Sequence, residues 1–154
     1  MINKDRLLSI FMDYVQIDSE SKNEKAMADR IVNDLRSLGY EAYIDEAGKA
    51  TGSTAGNVYC YIEGTLNEEP ILFSAHMDTV SPGIGIEAII EDGYVKSKGD
   101  TILGGDNKAG ISAIMEALRT IKENNIPHRP IEIVFSICEE VGLLGVKNLD
   151  FKTL

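Results

Sequence analysis

Residues 131–137, Ile-Glu-Ile-Val-Phe-Ser-Ile, are apolar and largely β-branched apart from Glu132 and Ser136. A run of that kind reads as a buried strand. It ends directly on Cys138-Glu139-Glu140. A second apolar run, Ile71 to Ala75, ends in the same way on His76-Met77-Asp78-Thr79, and Tyr40 to Ile44 and Val58 to Ile62 add two further short strand-like runs. Helical spacing appears in three places. Leu7, Leu8, Phe11 and Val15 mark residues 5–15. Met27, Ile31, Leu35 and Leu38 mark residues 23–38, with Gly39 as a stop, and Ile111, Ile114, Met115, Leu118 and Ile121 form one stripe after Asp106. Ile86 to Ile90 and Tyr94 to Ser97 flank Asp92-Gly93, a hairpin signal. The Gly/Ala/Ser/Thr-rich stretch 47–57 reads as a mobile loop. Helices followed by apolar strands predict a layered α/β sheet, and ligands in such sheets gather at the carboxyl ends of strands.

Composition narrows the function classes. The chain has 154 residues, enough for one domain or part of one, and a net charge of −10 from 15 Lys plus Arg and 25 Asp plus Glu. That acidity argues against a nucleic-acid or anionic-membrane surface, because phosphate binding needs a basic footprint. No apolar run is long enough to span a bilayer, and the first residues lack the apolar core of a signal peptide. Two cysteines, Cys60 and Cys138, with no CxxC spacing indicate neither a disulfide framework nor a zinc ribbon. The expectation is a reduced, cytoplasmic protein with no nucleic-acid or membrane partner.

Three polar clusters stand where the strand-end rule would put chemistry. His76 and Asp78 are two apart, so in extended chain they point the same way. The pair suits a metal-ligand imidazole held by an acid, or a catalytic His–Asp couple with its nucleophile elsewhere. It also suits a strand-end turn whose polar residues cap the backbone. The second cluster, Gly104-Gly105-Asp106-Asn107, runs into a helix. Asp106 there is an ordinary N-cap, or else a carboxylate that the glycines let into a cleft. The third, Glu139-Glu140, offers one carboxylate to a metal and one to a water, or simply two acids favouring a helix N-terminus. Together they supply one imidazole and several carboxylates, a donor set that zinc, manganese or cobalt accepts. GxSxG is absent, so metal-assisted hydrolysis leads.

His76-Met77-Asp78-Thr79-Val80, Leu103-Gly104-Gly105-Asp106-Asn107-Lys108-Ala109-Gly110 and Glu139-Glu140-Val141-Gly142, in that order, resemble the M20-type dinuclear zinc metallopeptidases. Within them the chain looks most like the peptidase T-like tripeptidases. The resemblance implies that His76 binds one metal, Asp106 bridges two, and Glu140 binds the other. Glu139 is then the general base, and Asp78 orients His76. The implied cofactor is two Zn2+, with Mn2+ or Co2+ as substitutes, and the implied partner is a short peptide substrate. Asn107 stands where many relatives carry a second Asp, a position that is not a metal ligand. In relatives the peptide bond after the bridging Asp is cis.

The same resemblance implies a three-layer α/β/α zinc-peptidase-like catalytic domain, incomplete here. Residues 1–154 are expected to be its N-terminal part. The lid or dimerisation domain and the C-terminal part of the catalytic domain, with one further carboxylate and a distal His, are expected to be absent. Such a chain is expected to be inactive alone and to cover its exposed apolar surface as a homo-oligomer. The alternatives are an amino-acid deacylase or desuccinylase of the same superfamily, and a non-catalytic scaffold or binding module.

Overall fold

A computed structural model describes residues 1–149. Helix α1 (Lys4–Val15) opens with the Asn3 side chain accepting the Arg6 amide at 3.0 Å, an N-cap that satisfies one of the first-turn donors. Helix α2 (Lys25–Ser37) buries Met27, Ala28, Ile31, Val32 and Leu35, the stripe expected from the sequence spacing. Strands β1 (Ala42–Ile44), β2 (Val58–Ile62), β3 (Ile71–His76) and β6 (Ile131–Ser136) form one sheet in the order β1-β2-β6-β3. Strand β2 is antiparallel to both of its neighbours, β1 and β6, and β3 runs parallel to β6. Between β3 and β6 the chain makes the hairpin β4 (Ala88–Glu91) and β5 (Tyr94–Ser97), then the long helix α4 (Gly105–Glu123).

Segment 47–57 differs from the mobile loop that its composition suggests. It contains a short helix, α3 (Ala47–Thr51), and one side chain explains why. Asp45 accepts the Ala47 amide at 3.0 Å and the Asn57 amide at 2.8 Å, so it both starts the helix and ties its far end back. Composition alone does not reveal such a local cap.

Helices α1, α2 and α4 cover one face of the sheet. Cys60, Ile62, Ile133 and Phe135 from the strands meet Ile31, Leu35, Ile111 and Met115 from the helices in a single buried cluster. Arg6 on α1 clamps α4 through Glu116, with Nε donating at 2.6 Å and Nη2 at 2.9 Å. The opposite face is only partly covered. Tyr59 and Val134 pack with Leu149, while Tyr43, Tyr61 and Leu72 remain exposed. The described residues thus build the expected α/β architecture with one helical layer in place over the sheet. A last turn of helix, α5 (Leu144–Lys147), follows the segment after β6.

Candidate metal centre

Register sets the position of the site. His76 pairs with Ser136 across the parallel β3–β6 ladder, so both strands end at the same edge of the sheet. His76 therefore lies beside the segment that leaves β6, which carries Glu139 and Glu140 three and four residues after Ser136. The third contributor comes from the start of α4. Gly104 has φ +73°, a left-handed conformation that glycine adopts without cost, and a Cβ there would come within 3.3 Å of Thr79 Cγ2. Beyond it, Asp106 and Asn107 are not helical in their backbone angles, and the bond joining them is cis, as the resemblance implied.

Asn107 is the residue that caps α4. Its Oδ1 accepts the Gly110 amide at 3.2 Å, three residues on, in the manner of an N-cap. This leaves Asp106 free of the capping role, and its side chain is 82% exposed and turned toward His76. The two readings of Asp106 are thereby separated.

His76 is buried, and its two ring nitrogens have different partners. Nδ1 lies 2.8 Å from the backbone carbonyl of Asp78 and 3.5 Å from Asp78 Oδ1. Nε2 lies 3.0 Å from Asp106 Oδ1 and 3.9 Å from Glu139 Oε2. A proton on Nδ1 donated to the carbonyl leaves Nε2 as the atom that faces the carboxylates, the usual arrangement of a ligand imidazole. Burial pulls the imidazole pKa down. The hydrogen bonds to Asp78 and Asp106 outweigh it and raise the value to about 9. One donor atom each from His76, Asp106 and Glu140 lie within 4.8 Å of one another. A nitrogen and two carboxylate oxygens that close together are a donor set suited to zinc. Glu140 is held above the ordinary carboxyl range by loss of hydration and by Glu139, Asp106 and Asp78, against the opposing pull of His76. Neighbouring carboxylates in that state favour a cation.

Asp78 does more for the backbone than for the imidazole. It is fully buried; its Oδ1 accepts the Glu139 amide at 2.8 Å, and its Oδ2 accepts the Glu140 amide at 3.1 Å and the Ser21 hydroxyl at 2.7 Å. Burial would raise its carboxyl, but the interaction with His76, followed by the bonds from Ser21 and the two amides, holds it below the ordinary range. His76 is anchored chiefly by the Asp78 carbonyl. Sequence reading missed Ser21 and Glu24, because residues 18–24 are a polar stretch between two helices and carry no motif. The buried Lys108 was also missed. Its Nζ donates to the Ile17 carbonyl at 2.6 Å, fastening that stretch to α4, and burial lowers its pKa to about 8.

The profile of peptidase family M28 matches residues 57–150, a span that contains all five of these acidic and imidazole positions. The chain belongs to this peptidase family. Relatives of the peptidase T type accompany that match. A tripeptidase from Staphylococcus aureus superposes with a TM-score of 0.96 at 42% identity, covering 100% of this chain and 42% of its own. The aminopeptidase PepT of Bacillus cereus gives 0.96 at 44% identity, covering 99% and 41%. In sequence, Peptidase T of Pasteurella multocida is 34% identical over 108 residues, 69% of this chain and 26% of the relative. The uncharacterised protein YqjE of Bacillus subtilis is 45% identical over 150 residues, 97% of this chain and 40% of the relative. The expected M20-type, peptidase T-like resemblance therefore stands beside the M28 match. The chain spans about two fifths of the length of YqjE and of the two solved peptidases. Among the described residues no helix is long and apolar enough to cross a membrane.

Proposed function

We propose that this M28-family chain is the N-terminal part of the catalytic domain of a longer metal-dependent peptidase that cleaves short peptides, tripeptides foremost. The convergence of His76, Asp106 and Glu140 within 4.8 Å carries the reading. His76 would hold one divalent cation and Glu140 a second, with Asp106 between them. Zinc suits the nitrogen-plus-carboxylate donors, and manganese or cobalt would substitute. The bound cations would polarise the scissile carbonyl and lower the pKa of the attacking water.

The remaining chemistry falls to the chain's own side chains. Glu139 is half-buried, with Oε2 at 3.9 Å from the His76 ring. It takes the proton of the attacking water on its carboxylate and returns it to the leaving amine, so one group serves as base and then as acid. Asp78 fixes the Glu139 amide and, through its carbonyl, the His76 ring. A catalytic zinc uses three protein ligands plus water, and each proposed ion has two here, so this chain alone is expected to bind weakly and to turn over nothing. A cytoplasmic location, and association with a second copy, belong to the same reading. Two buried free thiols, and the exposed apolar residues of β3, support them.

The test compares this chain with a full-length parent on tripeptides and on N-acyl amino acids, before and after chelation and zinc return. Tripeptide turnover by the parent alone, lost on chelation and restored by zinc, is the expected outcome. Turnover indifferent to chelation, or confined to N-acyl amino acids, overturns it.

A further inference from the structure

Four consecutive backbone amides, 137 to 140, bind side-chain oxygens from elsewhere in the fold. Ile137 donates to Asn57 Oδ1 at 3.1 Å, Cys138 to Glu24 Oε1 at 3.0 Å, and Glu139 and Glu140 to the two oxygens of Asp78. Asn57, Glu24 and Asp78 are all fully buried. Cys138 is the pivot of this segment, because its φ of +52° is a left-handed conformation that a residue with a Cβ rarely adopts. The turn after β6 therefore depends on whatever holds the Cys138 amide.

Glu24 is that holder, and no step of the proposed reaction uses it. It stands at the N-terminal boundary of α2 yet makes no cap bond to that helix. Oε1 accepts the Lys22 amide at 2.9 Å as well as the Cys138 amide, and Oε2 accepts the Ser53 hydroxyl. The Cys138 thiol adds a weaker contact to Oε1 at 3.4 Å, and a carboxylate accepts at both oxygens, so the four donors converging on it are matched.

We propose that Glu24 is a positioning residue of this site: by holding the Cys138 amide it sets the left-handed turn that delivers the Glu139 and Glu140 amides to Asp78 and so aims both side chains at His76 and Asp106. The inference rests on the metal-centre reading for its consequence, but its geometric half stands apart from any cation. Asp78 and Glu24 act as two jaws on one short length of backbone, one from the end of β3 and one from the start of α2.

The side chain's donors define the variants. In Glu24→Gln the amide oxygen still accepts from Lys22 and Cys138, and the amide nitrogen can donate to Ser53 after its hydroxyl rotates. In Glu24→Ala all four donors lose their partner, and Glu24→Asp withdraws the carboxylate by one methylene. Two quantities are read: hydrogen exchange of the Glu139 and Glu140 amides by NMR on this chain, and zinc affinity of the full-length parent by competition with a chromophoric chelator. Glu116→Ala serves as a destabilised control, since it loosens α1 from α4 without touching this turn.

The expected result is faster exchange at both amides by at least tenfold in Glu24→Ala, and a 10–100-fold loss of zinc affinity, the range known for residues that orient ligands. Glu24→Gln should restore both to within about threefold, and Glu116→Ala should change neither. If Glu24→Ala does not fold, Glu24→Asp carries the test with the same direction. Unchanged amide protection in the folded variants overturns the proposal. Faster exchange with unchanged zinc affinity overturns its link to the side chains. A full-length parent with no zinc affinity refutes the metal reading, while the exchange data still decide whether Glu24 sets the turn.

Discussion

The carboxylate of Asp78 lies under the backbone of Glu139, with Oδ1 accepting its amide at 2.8 Å, while the other oxygen takes Glu140 and Ser21. One buried side chain thus couples the end of β3 to the segment after β6. Asp78→Ala should leave two backbone donors unpaired, at roughly 1–3 kcal/mol each. The expected outcome is a clear drop in melting temperature together with a 10–100-fold loss of zinc affinity. Asp78→Asn keeps one acceptor and should fall between. Thermal unfolding and chelator competition on the same samples check it, and unaltered zinc affinity in Asp78→Ala would count against the coupling.

Much of this arrangement was legible in the sequence because it depends on periodicity and strand ends. The stripe from Ile111 to Ile121 is a helix, residues 131–136 are a strand, and His76 closes one of two parallel strands while Glu140 follows the other, at a shared edge. What was illegible depends on long-range side-chain-to-backbone bonds. Glu24 reaches Cys138 across 114 positions, and no local pattern encodes that. Asp45 turned an apparent loop into α3. Asp78 illustrates the middle case: its place beside His76 was readable from the spacing, but its bonds to the two glutamate amides were not.

Asn107 and Gly110 form a second pair with a sharp consequence. A Cβ at Gly110 would meet Asn107 Oδ1 at 2.3 Å. In an ordinary helix interior Gly→Ala stabilises by roughly 0.5–1 kcal/mol. Here the sign should reverse, since the new methyl expels the capping oxygen. Asn107→Ala should cost about 1 kcal/mol through the same lost cap. The two changes should be non-additive, because they remove one interaction. Urea unfolding of the single and double variants measures this, and a stabilising Gly110→Ala would show that the cap is not made.

Acid stability should report the clamp between α1 and α4. Glu116 is almost completely buried. Burial alone would raise its carboxyl, but the bonds from Arg6, Asn3 and Thr120 prevail and lower it below 4.5. A carboxyl depressed in the folded state contributes stability that is complete above its unfolded value. That contribution is lost as pH falls through the folded one. The clamp should therefore add nothing to the pH dependence near neutrality and should weaken below about pH 4.5. In Arg6→Met the carboxyl is no longer held down, so the loss should be roughly 1–3 kcal/mol at neutrality and shrink as pH falls below about 4.5, giving a shallower acid limb. Unfolding free energies measured from pH 3 to 7, on the scale where a carboxyl titrates, would contradict this if the two curves ran parallel.

Strand β3 is an edge of the sheet among the described residues, and it presents Ile71, Leu72 and Phe73 at 38%, 49% and 40% exposure. The register places Ile71 and Phe73 on the helix-covered side, and Leu72 on the other. A groove of about 240 Å3, lined by Phe73, Ala113, Ile114, Ala117, Leu118 and Ile121 among others, runs beside the strand. An edge of that kind has unpaired backbone groups beside apolar side chains, which favours pairing with another chain. The purified chain should therefore self-associate as its concentration rises. Leu72→Lys places a charge on the exposed side without disturbing the packed one. It should shift the chain toward monomer while changing stability by less than about 0.5 kcal/mol. Phe73→Lys should act in the same direction through the groove. Sedimentation velocity across a concentration series reads both effects. A wild-type chain that stays monomeric throughout, or a Leu72→Lys variant that associates as strongly as wild type, would mean that β3 is not the surface through which copies meet.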